Sequence, residues 1–224
     1  MKYLLTAVMA ISLFAAACED PAANKTKATV NEPSATTAAN TSYSANAGPA
    51  VPVAAKGDAH AINGENSKVD FTGSKVTGKH DGGFNTFTGT IDLVNRKPAE
   101  SSVTVDIDAA SVYSDDEKLT GHLKSADFFD VEKFPKASFR STKIEADPAK
   151  GADAYTITGD FNLHGMTKSI SFPATIKAGT ESVDVDAEFA VNRKDFGIVY
   201  AGKADDLIRD DVVIKLTLKA PRKK

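Results

Sequence analysis

The sequence predicts an all-β domain of antiparallel sheet, and three observations predict it. From Val69 to Leu218, apolar residues recur at every second position in eight separate segments, the period of a strand with one buried face. Stretches rich in Gly, Asp and Asn separate the segments, which is turn chemistry. Helical spacing is confined to one stretch, near residues 115–130.

The chain starts with a short basic region, Met1-Lys2, and an apolar run from Tyr3 to Ala17 that ends in three alanines. The run is too short to span a membrane and reads as an export signal, residues 1–17, with a small-residue cleavage site. Cys18 follows directly and is the only cysteine, so an exported chain offers it no disulfide partner. Phe14-Ala-Ala-Ala-Cys18 resembles the cleavage box of bacterial lipoproteins. That resemblance implies lipidation at Cys18 and an exported, periplasmic or cell-envelope protein held to a membrane. An ordinary signal peptide cut nearby is the plainer alternative. The sequence does not specify which membrane.

Removing residues 1–17 leaves 26 basic against 30 acidic side chains, with Arg222-Lys223-Lys224 as the one basic cluster. This is not the electrostatic footprint of a nucleic-acid binder. From Glu19 to about His60 the chain is Ala, Thr, Asn, Ser and Pro, with Tyr43 as its one aromatic residue. Such a composition cannot offset its ordering entropy. Residues 18–60 are therefore expected to be a disordered tether, spanning about 35 Å on average as a flexible coil. Residues 61–224 make one domain of ordinary size.

Within the domain the alternating segments start with Val69 and Phe71, then Phe87 to Leu93, Val103 to Ala109, and Ala137 with Phe139. Tyr155 to Leu163, Ile170 to Ile176, Val183 to Val191 and Val212 to Leu218 complete the series. Leu163-His164-Gly165-Met166-Thr167 is short enough for a hairpin. Strands with one apolar face either close into a barrel or stack as two sheets. Gly89, Gly159, Ala109, Ala137, Ala174 and Ala187 fall on the inward face. Small residues there would leave an apolar channel, or else mark bends in a filled core. Periodicity leaves both readings open.

The helical stretch opens with Ser114-Asp115-Asp116-Glu117, the form of a capping box, and continues with Leu119, Leu123 and Ala126. Phe128, Phe129, Phe134 and Phe139 follow within a few residues. Adjacent phenylalanines cannot share one face of a strand, and Pro135 disfavours helix at Phe134. An excursion of this kind suits the closure of one end of a barrel.

Here the residues carry a resemblance. His122-Leu-Lys-Ser-Ala-Asp-Phe-Phe-Asp-Val-Glu-Lys-Phe-Pro135 is similar to the signature of the YceI family of bacterial lipid-binding proteins. Val69-Asp-Phe71 with Lys75, Gly78, His80, Gly83, Phe84, Phe87 and Gly89 agrees with it. So do Gly159-Asp-Phe-Asn-Leu-His-Gly-Met-Thr-Lys168 and Asn192-Arg-Lys-Asp-Phe-Gly-Ile198. The resemblance implies an extended eight-stranded antiparallel barrel of lipocalin-like form. Its implied ligand is an isoprenoid chain, a polyprenyl lipid or an isoprenoid quinone, with no other cofactor. On that reading Leu123, Phe128, Phe129 and Phe134 close one end of the channel. Phe84, Phe87, Phe139, Phe161, Phe172 and Phe189 then line it, with His80, His122 and Arg193 as candidate headgroup contacts. A homodimer is compatible with such barrels.

His80, His122 and His164 show no metal-ligand spacing, and no nucleophile elbow or phosphate loop is present in the sequence. The expected activity is therefore binding without a chemical step, as a membrane-tethered carrier or storage protein. The rival reading is a tethered structural or interaction module of the cell envelope with a filled barrel.

Overall fold

All eight alternating segments fall on strands in the computed structural model, which describes residues 19–33 and 57–222. The first six strands are β1 (Thr29–Asn31), β2 (Asp58–Asn63), β3 (Lys68–Lys75), β4 (Gly78–Phe84), β5 (Phe87–Leu93) and β6 (Ser102–Asp108). After β7 (Val112–Ser114) and one helix, α1 (Glu117–Leu123), come β8 (Lys136–Ala146), β9 (Ala154–Leu163), β10 (Met166–Ala178) and β11 (Ser182–Asn192). The small hairpin β12 (Gly202–Lys203) with β13 (Asp206–Leu207) precedes β14 (Asp211–Pro221). The export signal, Cys18, Tyr43 and Lys223-Lys224 lie outside the described residues.

The main sheet runs β2-β5-β6-β8-β9-β10-β11-β14-β3-β4-β7 and curls into an antiparallel barrel. A bulge between Ser141 and Lys143, where β8 slips against β9, adds local twist. The sheet closes where β2 meets the end of β14. His60 bridges to Arg222 there, and its Nδ1–H donates to Ala220 O at 3.0 Å. The sheet thus holds twelve strands instead of eight, because β1, β2, β4 and β7 carry weak alternation or are very short.

His164 and Gly165 form the two-residue β9–β10 turn with φ of 52° and 73°. Positive φ at both positions is the primed turn whose twist matches the flanking strands. Gly159 allows a close approach of another kind. A Cβ there would lie 2.4 Å from Phe139 Cζ, so the phenyl ring crosses the strand where the side chain is missing. The inward glycine accommodates a ring and does not open a channel at that level.

Two expectations need correction. The helix is capped by Asp116, whose side chain accepts from Leu119 N at 2.8 Å. Ser114 Oγ instead donates to Asp116 O, since the chain enters two residues later than the capping-box reading placed it. The expected tether is also ordered at both ends. At one end, β2 begins at Asp58, with His60 1% exposed. At the other, residues 19–33 lie on the barrel. β10 pairs with β11 only over Thr175–Ala178, and β1 takes its place over Ser169–Ser171. On the other flank, Ala28 N donates to Ala190 O and Ala190 N to Thr26 O, at 2.8 and 2.9 Å. The segment needs no core of its own because it borrows one: Ala28 and Val30 pack against the barrel core. Backbone pairing, which composition does not register, supplies the rest.

Filling the space at Gly159 should be costly. Gly159→Val is expected to lower the unfolding free energy by about 1–3 kcal/mol, the usual cost of overpacking, measured by urea denaturation.

A candidate lipid-binding cavity

The barrel interior has two different halves. Toward the β5–β6, β8–β9 and β10–β11 turns it is filled, with Ile62, Leu93, Ile176, Val183 and Ala220 in one packed core. Toward the other end it encloses a cavity of about 210 Å³. The walls are Val105, Ile157, Phe161, Phe172, Val185, Phe189, Ile214 and Leu216, among other apolar residues. Polar lining residues are confined to Asp70, Ser74, Arg193 and Arg209.

The excursion between β7 and β8 covers the cavity end. Leu123, Phe128, Val112 and Ile198 form a second buried cluster, with Phe71, Phe84, Phe129, Tyr200 and Ile208 packed against it. Phe129 meets Phe84 and Phe71 edge-on at 5.6 and 6.5 Å between ring centroids, a favoured aromatic arrangement. The adjacency of Phe128 and Phe129 is resolved by a tight turn. Phe129 N donates to Leu123 O, and Asp130 takes a φ of 45°. The two rings can then enter the cavity lining side by side.

Of the ten residues expected in the lining, Phe84, Leu123, Phe128, Phe129, Phe139, Phe161, Phe172 and Phe189 are there. Two are placed elsewhere. Phe87 is buried in the main core. Phe134 packs on the β9–β10 turn, 4.7 Å from the His164 ring and against Gly165. The expected headgroup contacts also divide. Arg193 borders the cavity, whereas His80 faces outward and meets Asp115 Oδ1 at 2.8 Å. Desolvation pushes the Asp115 carboxyl up, but the hydrogen bonds from His80 and the Asp81 backbone, with smaller contributions, together hold it below its ordinary value. His122 is held by Asp127 at 2.8 Å, with its ring edge-on to Phe128 and Tyr200. Both are hydrogen-bonded pairs at the surface. Phe71, Ser74, Phe196 and Ile208 belong to the lining and were not expected there. Phe71 alternates inward with Val69 but was not singled out, and Phe196 stood in a turn motif that gave no sign of which way it points.

Arg193 organises this end. Its guanidinium donates to Ile198 O (2.7 Å), Arg209 O (3.1 Å) and Ile208 O (3.4 Å), and meets Asp210 Oδ1 at 3.3 Å. Burial pushes its pKa below the ordinary guanidinium value, with the Asp210 charge opposing. Ser74 also borders the cavity, and its Oγ, on the strand face shared with Asp70 and Thr72, is buried with no hydrogen-bond partner among the described residues.

An antiparallel barrel, packed at one end and hollow and apolar at the other, is the architecture of proteins that enclose one small ligand. The YceI-like domain model matches residues 60–220, and the chain belongs to that family. It is 35% identical over 140 residues to the UPF0312 protein of Pseudomonas putida strain W619, covering 60% of this chain and 71% of that one. Among solved structures it is similar to Burkholderia cenocepacia BcnA, with a TM-score of 0.63, 24% identity, and 71% and 99% of the two chains covered. The fold also matches a polyisoprenoid binding domain from Saccharophagus degradans, with a TM-score of 0.56, 15% identity, and 73% and 99% covered.

Arg193→Lys should destabilise the protein, because one ammonium cannot satisfy carbonyls at three places. The expected loss is about 1–3 kcal/mol, the usual cost of buried unsatisfied groups, read as a lower midpoint in chemical denaturation with an unchanged slope.

Proposed function

We propose that the protein binds an isoprenoid-type lipid, a polyprenyl chain or isoprenoid quinone, in the apolar half of the barrel. It would do so without a chemical step, as a membrane-attached carrier or storage protein. The observation that carries this reading is the lining: a continuous apolar wall, with Ser74, Arg193 and Arg209 gathered at one pole and Asp70 alone elsewhere on β3. Burial of the tail would supply most of the affinity, at about 25 cal/mol per Å² of apolar surface removed from water. The polyisoprenoid-binding neighbour of the same fold supports the ligand class.

The polar end of the ligand is assigned to the pole where Ser74, Arg193 and Arg209 border the cavity, in place of His80 and His122, which pair with Asp115 and Asp127. Arg193 has its donors committed to backbone carbonyls and Asp210. A hydroxyl or carbonyl on the ligand fits this pole better than a charged phosphate. Membrane attachment is proposed from Cys18 and the apolar run ahead of it.

Titration of a fluorescent isoprenoid analogue tests the site. Phe128→Asp with Phe129→Asp should weaken binding at least tenfold, because two carboxylates would face the apolar lining. Ile214→Trp, which fills the cavity from its β14 wall beside Phe71, should do the same. Binding that survives both changes in folded protein would refute the assignment.

A further inference from the structure

The described chain begins at the hollow pole of the barrel. Asp20 is paired with Arg209 at 3.6 Å. Arg209 lines the cavity and donates its backbone N–H to Ser74 O at 2.9 Å. From there the segment runs back along the wall, with Ala22 buried against Ala190 and Val213 and Lys25 paired with Glu188. It then turns through Lys27, paired with Asp211, and returns along β1 to Glu32, which meets Lys168 at 2.7 Å. Cys18 lies two residues ahead of Asp20, within about 7 Å along an extended chain. The described chain therefore starts at the cavity end, with Cys18 two residues before Asp20 in sequence. Residues 34–56 then join Pro33 to Gly57, two points on the same barrel, so they do not separate it from the N-terminus.

The same pole carries an apolar rim. Among the described residues, five large apolar side chains are exposed, and four of them stand here, at turns, a strand start and a short hairpin: Val76 (54%), Met166 (40%), Val199 (64%) and Leu207 (49%). Val76 N donates to Leu207 O, tying the β3–β4 turn to the β12–β13 hairpin. Met166 reaches Gly197, two residues before Val199. The opposite end presents Asn95-Arg96-Lys97, Asp147-Pro-Ala-Lys150 and Gly179-Thr180-Glu181. Single exposed apolar residues are ordinary, whereas a cluster around a cavity mouth marks an interaction surface.

We infer that this pole docks on a lipid bilayer, with Val76, Met166, Val199 and Leu207 seated in its interface and the cavity mouth turned toward the hydrocarbon. The inference rests on the membrane attachment proposed above and adds the orientation. Residues 19–33 act as a clamp that presses the mouth onto the membrane, not as a spacer that holds it away. A lipid tail can then pass between bilayer and barrel without crossing water.

The test uses the full chain, produced in a bacterium with its first eighteen residues intact and reconstituted in phosphatidylethanolamine–phosphatidylglycerol vesicles that carry a spin-labelled lipid. A bimane label is placed at Val199→Cys, at Leu207→Cys or, at the far end, at Lys150→Cys. The expected result is several-fold quenching at positions 199 and 207, with none at position 150. Equal quenching at all three, quenching at position 150 alone, or no association with the vesicles would overturn the inference. Retention of the fluorescent isoprenoid is scored on the same samples. Rim quenching without ligand uptake would fault the carrier reading alone, and uptake without rim quenching would fault the orientation alone.

Discussion

The Arg193 guanidinium sits at the rim of an apolar cavity and is 6% exposed. It is tolerable there because three carbonyls and the Asp210 carboxylate receive its protons. Those acceptors come from both sides of a long crossover between β11 and β14. One charged group therefore holds the start of the crossover against its return. Ile198 and Ile208 are fixed by the same bonds and contribute to the cluster over the cavity end, where Leu123 and Phe128 pack. A buried charge satisfied this completely does not offer itself to a ligand. It builds the polar pole that Ser74 and Arg209 border with it.

The division of the barrel into a packed half and a hollow half combines stability with binding. In the packed half, Ile62, Val183 and Ala220 are at most 1% exposed, and closure through His60 occurs at that end. The hollow half is roofed by aromatic rings from β3, β4 and the excursion after α1, Phe129 meeting Phe71 and Phe84 edge-on and those two tilted against each other. Its wall is also split, since β10 and β11 diverge and the N-terminal segment fills the opening with backbone hydrogen bonds. That segment is part of the barrel wall, although most of its side chains are small or polar.

Much of this was legible in the sequence because the period of two is physical: one face must be dry along each strand. Phe139, Phe161, Phe172 and Phe189 could be placed inward on that ground. Phe87 also alternates inward but meets the packed core, since periodicity gives a direction and not a neighbour. Phe134 follows the same motif as Phe128 and Phe129, yet it packs on His164 and Gly165 because Gly165 lacks the Cβ that would exclude its ring. The N-terminal strand was illegible for another reason. Thr29–Asn31 is stabilised by pairing with β10, and main-chain hydrogen bonds leave no signature in residue type. Ser74 was missed because a serine on a strand reveals whether it is satisfied only once its neighbours are in place.

The most direct measurement is mass spectrometry of an organic extract from residues 19–224, exported behind a cleavable signal that leaves no lipid anchor and purified without detergent from a bacterial periplasm. A carrier with this cavity should yield one polyprenyl or quinone species in stoichiometric amount. A clean protein that also fails to take up added isoprenoid would contradict the account and leave a filled, tethered interaction module as the better description.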